Sequence, residues 1–216
     1  MRNYTIAGRV FDLDNVEKPA DLMASTKEED DFFHMATEGQ PSHAGFTGTG
    51  FDANGVQIPF SLGYHSVRSM KYLIEKSGFK SGRMLEIGFN LGYSARIWLH
   101  LLPDIHLTSV DISNKAETLA AANVVWTKFP DRFVFACADS KTIASKLEKN
   151  FGLAFIDGDH TEEGIIADVQ VCLDLGIRTM IFDDFLPQFG MTIPALAKFP
   201  VKRFEPHGNL AIAFFD

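Results

Sequence analysis

The sequence predicts a doubly wound α/β domain built on a mostly parallel sheet, and three observations predict it. From about residue 66 onward, short apolar runs alternate with stretches of helical periodicity. The runs are nearly continuous rather than alternating, as expected for strands covered on both faces. Acidic residues follow the ends of those runs one after another, which places them on a single rim of the sheet.

The elements follow in order. Tyr4 to Phe11 reads as a short strand or hairpin arm, and Lys27 to Ala36 as one helix whose acidic start suits the helix dipole. Glu38 to Gly55 is rich in glycine and turn formers, without a clear period, and is expected to be a long loop. Phe46, Phe51 and Phe60 make it a candidate lid, the alternative being a loop packed on the core by those rings. From Ser66 to Lys76, the residues Val67, Met70, Leu73 and Ile74 share a helical face that Gly78 ends. Arg83 to Ser94 (RMLEIGFNLGYS) reads as strand, tight glycine turn and helix start.

A second strand over 105–112 precedes a helix from Asn114 to Phe129, and a third strand over 132–139 precedes a helix from Ser140 to Lys149. The fourth strand, 153–157, leads to a helix from Thr161 to Leu175 closed by Gly176, and 178–184 is the fifth. Strands separated by helices need right-handed crossovers and run parallel. The runs at 201–205 and 210–215 are separated by only four residues, too few for a crossover, so they form an antiparallel hairpin.

Composition bounds the function. At 216 residues and 46% hydrophobic content, the chain has enough apolar surface for a proper core. Its net charge is −8 and its 20 basic residues are scattered, so neither nucleic acid nor a membrane is an expected partner. No opening run resembles a signal peptide, and a cytoplasmic protein is expected. Cys137 and Cys172 lie in apolar runs without metal-binding spacing and are expected to be buried, reduced thiols.

Ligands of such sheets gather at the carboxyl ends of the strands. Glu86 and Gly88 end the first strand, Asp111 the second, Asp139 the third, Asp157 and Asp159 the fourth, and Asp183 and Asp184 the fifth. Gly88 and Gly92 let the backbone approach a ligand, and the helix opened by Ser94 offers free N–H groups. Asp111 follows Gly88 by 23 residues, close to the roughly 20-residue separation at which a carboxylate meets a ribose hydroxyl. The GxGxxG pattern of nicotinamide dinucleotide sites is absent, since Asn90 and Tyr93 stand where glycines belong. Neighbouring strands lie about 4.8 Å apart, so Asp157, Asp183 and Asp184 would crowd three carboxylates together if the fourth and fifth strands are adjacent. A hard divalent ion such as magnesium would relieve that repulsion.

Glu86-Ile-Gly88-Phe-Asn90-Leu-Gly92-Tyr-Ser94, followed by Val110-Asp111, Ala138-Asp139 and Phe155-Ile-Asp157-Gly-Asp159-His160, resembles the class I S-adenosylmethionine-dependent methyltransferases. Among them it looks most like the metal-dependent small-molecule O-methyltransferases with an IDGDH-type fourth strand. The resemblance covers residues 61–216, leaving 1–60 as an N-terminal lid or substrate-side extension. It implies a Rossmann-like, seven-stranded sheet with an antiparallel last strand. It also implies S-adenosylmethionine as cofactor, with the methionine moiety near Glu86 and Gly88, the ribose on Asp111 beside Ile112, and the adenine near Asp139 and Ser140. Asn90, Gly92, Ser94 and Asp157 complete that set. The positions matching Asp157, Asp183 and Asp184 are metal ligands in the family, although the last is often Asn.

Methyl transfer from a sulfonium is a direct displacement, so the chemical difficulty lies in the acceptor proton. In plant-type relatives a lysine base stands where this chain has His160, which makes His160 the candidate base; the alternative is a rim histidine bonded to a loop. His65, Tyr64 and Phe46 are candidates for the substrate side. The implied partner is a small-molecule acceptor bearing a hydroxyl, and a homodimer is the assembly left open. Rival readings are a metal-independent N- or carboxyl-methyltransferase, a non-catalytic cofactor-binding domain, and an aspartyl phosphatase using Asp157-Gly-Asp159-His-Thr161 as a DxDxT motif.

Overall fold

The computed structural model describes residues 3–12, 28, 31–32, 35–36, 38, 47–51, 57–185 and 191–216. Strands β1 (Asn3–Ile6) and β2 (Arg9–Asp12) form an antiparallel hairpin turned by Ala7 and Gly8, both at positive φ. Of the helix expected over 27–36, Glu28, Asp31, Phe32, Met35 and Ala36 are described, and all are helical. Within the expected long loop lies a strand, β3 (Thr47–Phe51), which pairs antiparallel with β4 (Gln57–Ser61) just beyond it. Alternating Thr and Gly in β3 hide the apolar alternation by which a strand is recognised.

The main body then runs α1 (Leu62–Ser77), β5 (Ser81–Ile87), α2 (Tyr93–Leu101), β6 (Asp104–Asp111), α3 (Ala116–Lys128) and β7 (Phe133–Cys137). It continues through α4 (Ser140–Ile143), β8 (Phe151–Ile156), α5 (Glu162–Asp174), β9 (Thr179–Phe182), α6 (Thr192–Leu196), β10 (Val201–His207) and β11 (Leu210–Phe215). The helix expected over 140–149 is only α4 and one 3-10 turn, Ala144–Lys146. Leu147 is already extended, and Asn150 takes φ 91° on the way into β8.

Seven strands form one sheet in the order β10-β11-β9-β8-β5-β6-β7. β5 to β9 pair in parallel, whereas β11 is antiparallel to both β9 and β10. The chain order reverses between β5 and β8, the place where such sheets bind ligands. Successive strand residues face opposite sides: Leu85, Ala154 and Ile156 pack with Ile165 and Val169 of α5, while Met84, Leu153 and Phe155 pack with Trp98 of α2 and Leu73 of α1. Phe11 of the first hairpin joins the first of these cores, edge-on to Phe185 and Phe204 at 6.0 and 5.4 Å.

Cys172 is buried, and burial pushes its thiol up. Cys137 is exposed, contrary to the expectation of a second core thiol. It ends β7, which among the described residues pairs only with β6, and an edge strand leaves its end uncovered. Among the described residues no helix is long and apolar enough to cross a membrane.

Candidate active site

The carboxyl ends of β5, β6, β8 and β9 are laced into one rim. Beyond the strands, Gly88 N–H donates to Val110 O (2.8 Å), Ala138 N–H to Asp111 O (2.8 Å), Asp157 N–H to Ile87 O (2.8 Å) and Asp183 N–H to Ile156 O (3.0 Å). Gly88 has φ +92°, and a Cβ there would stand 1.9 Å from the carbonyl oxygen of Asp157. The glycine therefore sets the distance between the cradle after β5 and the loop after β8. Phe89 and Leu91 are buried anchors, Asn90 is exposed at φ 49°, and Gly92 caps α2 in the left-handed region.

Asp111 ties this turn down. Its Oδ2 accepts from the backbone N–H groups of Phe89 (2.8 Å) and Asn90 (2.7 Å), and its Oδ1 from Ser113 N–H (2.7 Å). Each carboxylate oxygen can accept more than one hydrogen bond, so the side chain can shape the cradle and still meet a ligand hydroxyl.

Glu86 lies beneath the cradle, fully buried. Ser94 Oγ donates to its Oε1 at 2.7 Å and the Ser109 hydroxyl donates to its Oε2. Burial pushes its pKa up to about 7 against the pull of the two hydroxyls. The folded chain thus keeps a proton that the unfolded chain releases near pH 4.5. The contribution of Glu86 to stability is fully present below that pH and is lost as pH rises to about 7, by about 3 kcal/mol at most. Glu86→Gln removes this dependence: its melting temperature relative to wild type is expected to rise between pH 5 and pH 8. A constant difference across that range would mean that Glu86 does not titrate there.

On the other side of Gly88 stand Asp157, Asp183 and Asp184. Burial first, then the facing carboxylates of Asp183 and Asp184, holds Asp157 well above the usual carboxylate range. Burial and Asp184 raise Asp183 to about 7. Burial would raise Asp184 as well, but hydrogen bonds from His160 and Asn209 hold it below its ordinary value. His160 Nδ1 is 3.0 Å from Asp184 Oδ2, and this contact raises the histidine. Ligand atoms of Asp157, His160 and Asp184 lie within 4.8 Å of one another. Asp183 is not in that triplet; its Oδ1 accepts from Asp184 N–H (2.8 Å) and from Asn209 Nδ2 (3.2 Å). Two carboxylates and an imidazole gathered this closely, with Asp157 raised first by burial and then by the neighbouring carboxylates, fit a divalent cation.

Asp159 turns away from this cluster, accepting from Thr161 N–H at 2.9 Å, and Thr161 caps α5 through Gly164 N–H at 3.1 Å. An open pocket beside His160 is lined by Asp159, Thr161, Glu162, Glu163 and Met191. Beyond Asp111, the Ile112 side chain is 74% exposed, an apolar surface facing out of the rim. Asp139 caps α4 by accepting from Lys141 N–H (2.9 Å), and Ser140 Oγ donates to the buried Asp168 (2.7 Å). Tyr64 and His65 lie in the first turn of α1 and only their backbone is described. Phe46 lies outside the described residues.

Asn209, Ser109 and Asp168 reach the site without having been read from the sequence. Ser109 sits inside a strand and Asp168 inside a helix, where single polar residues carry no periodic signal. Asn209 lies in a turn, where asparagine is the commonplace choice.

Residues 85–184 match a family model described as a methyltransferase domain. A methyltransferase from Podospora anserina, solved with SAH bound, superimposes with a TM-score of 0.56 at 16% identity, covering 94% of this chain and 91% of that one. A Klebsiella pneumoniae protein assigned as an O-methyltransferase gives 0.55 at 17% identity, covering 91% and 93%. A Staphylococcus aureus protein assigned as a caffeoyl-CoA O-methyltransferase gives 0.53 at 16% identity, covering 70% and 83%. At such identities the likeness is one of fold, and the fold is the Rossmann-like methyltransferase fold. No curated protein sequence matches the chain.

Proposed function

We propose that this chain, with its methyltransferase-type domain, transfers a methyl group from S-adenosylmethionine to a hydroxyl of a small-molecule acceptor, with His160 as the base. The observation that carries the proposal is the contact of cradle and acidic cluster: Gly88 has no room for a Cβ because Asp157 lies against it. A donor held on Gly88, Asn90 and Asp111 therefore presents its reactive end to Asp157, His160 and Asp184. Asp111 supplies acceptors for the ribose, Ile112 an apolar face for the base, and Asp139 and Ser140 the far end of the nucleoside groove.

The displacement at the methyl carbon needs a nucleophilic oxygen in line with the sulfonium, and proximity supplies much of the rate. His160 takes the proton of the acceptor hydroxyl, and Asp184 stabilises the imidazolium that results. Asp157 and Asp184, whose ligand atoms converge, would hold a divalent ion with Asp183 behind them, and the ion would supply positive charge to lower the pKa of the acceptor hydroxyl.

Calorimetry with S-adenosylmethionine, with and without magnesium, joined to a screen of acceptors with a labelled methyl donor, tests the reading. Absence of binding overturns it, and turnover that ignores a chelator removes the metal alone. Asp111→Ala is expected to weaken cofactor binding by roughly 1.5–3 kcal/mol; unchanged affinity would place the ribose elsewhere. Asp157→Asn is expected to abolish turnover while cofactor affinity is kept, and undiminished turnover would dismiss the metal site.

A further inference from the structure

The turn between β10 and β11 reaches the same rim, because β10 runs parallel to β9. Its residue Asn209 touches both aspartates that follow β9: Nδ2 donates to Asp184 Oδ1 at 2.9 Å and to Asp183 Oδ1 at 3.2 Å. Asn209 O accepts from Phe185 N–H at 2.8 Å, so backbone and side chain both clasp the Asp183–Phe185 segment. The turn is itself anchored on α1. The His207 ring stacks on Tyr72 with centroids 4.1 Å apart, and its Nδ1 lies 3.0 Å from Ser69 Oγ.

Building on His160 as the base, we propose that Asn209 is a positioning residue that acts on His160 through Asp184. With Oδ1 of Asp184 held by the Asn209 amide, Oδ2 is the oxygen turned to His160 Nδ1. A carboxylate accepts and does not donate, so a neutral His160 facing it carries its proton on Nδ1 and its lone pair on Nε2. Asn209 thereby determines which nitrogen of His160 receives the acceptor proton. A neutral amide is the fitting group, because it donates to both carboxylates without adding charge, whereas a carboxylate there would repel both. Asp184 also sits at φ 49°, a conformation that a non-glycine residue keeps only when its surroundings hold it.

The test reads the imidazole nitrogens of histidine-labelled protein by two-bond proton–nitrogen correlation, with His160→Gln assigning the His160 signals. Wild type is expected to show one fixed tautomer, protonated at Nδ1. Asn209→Ala and Asn209→Asp are both expected to lose it and, with an acceptor in hand, to lower kcat about 10- to 100-fold with the KM for S-adenosylmethionine unchanged. Asn209→Asp keeps the size and turn preference of asparagine but loses the donor, so a role confined to the backbone of the turn would leave the His160 tautomer of that variant like wild type. Retention of the Nδ1 tautomer in both variants, or its absence from wild type, overturns the proposal. Undiminished turnover in His160→Gln would instead overturn the base, and because the tautomer is read without turnover the two failures are distinct.

Discussion

Gly88→Ala is expected to destabilise the protein by more than about 3 kcal/mol and to abolish S-adenosylhomocysteine binding. Two costs coincide at this residue. Its φ of +92° is strained for any residue with a Cβ, and the added carbon would stand 1.9 Å from Asp157 O and 2.4 Å from Asp157 C. Neither atom can swing aside, because Asp157 N–H is itself bonded to Ile87 O at the end of the β5–β8 ladder. Relief would require the two central strands to part at the rim, which displaces the cradle and the acidic cluster together. Thermal melting and calorimetry check this. A variant that melts within a degree or two of wild type and binds the nucleoside normally would mean that the two loops are not in contact.

His160→Ala is expected to lower methyl transfer by about 10²- to 10⁴-fold, the range for removing a general base, with S-adenosylhomocysteine affinity unchanged. Both halves follow from position. His160 lies after β8 with its ring on Asp184, and the acidic groups acting on it are Asp184, Asp183 and Asp159. The cradle residues Phe89, Asn90 and Asp111 are bonded to one another and not to His160. Single-turnover transfer from a labelled donor separates the chemical step from binding. Loss of affinity in parallel with turnover would place His160 against the cofactor, and full turnover would leave the base unassigned.

Much of the candidate site was legible because its signals are local. The glycine turn at Gly88 and Gly92 and the acidic ends of the strands each lie within a few residues of the run that announces them, so their common rim follows once the sheet is parallel. Asp111 was placed by its spacing, but its bonds to Phe89 and Asn90 depend on how two loops meet. Strand adjacency alone groups Asp157, Asp183 and Asp184, whereas the structure gathers Asp157 and Asp184 with His160, which lies at hydrogen-bonding distance from Asp184, and leaves Asp183 outside that triplet. The β3–β4 hairpin and the early end of the helix that opens at Ser140 are not legible, because glycine-rich alternation and a run of charged residues blur the period.

The sequence by itself determined the class of fold, the reversal of the last hairpin and the rim on which the chemistry-bearing residues stand. Those features depend on periodicity and on the length of connections, which are properties of neighbouring residues. Only the tertiary structure decided that β11 enters between β10 and β9, and with it that Asn209 reaches Asp183 and Asp184. It also decided that Glu86 lies sealed between Ser94 and Ser109, and that Cys137 lies open at the sheet edge. Each of these depends on which strands become neighbours, a choice made by burying apolar surface across the whole chain, and no local pattern records it.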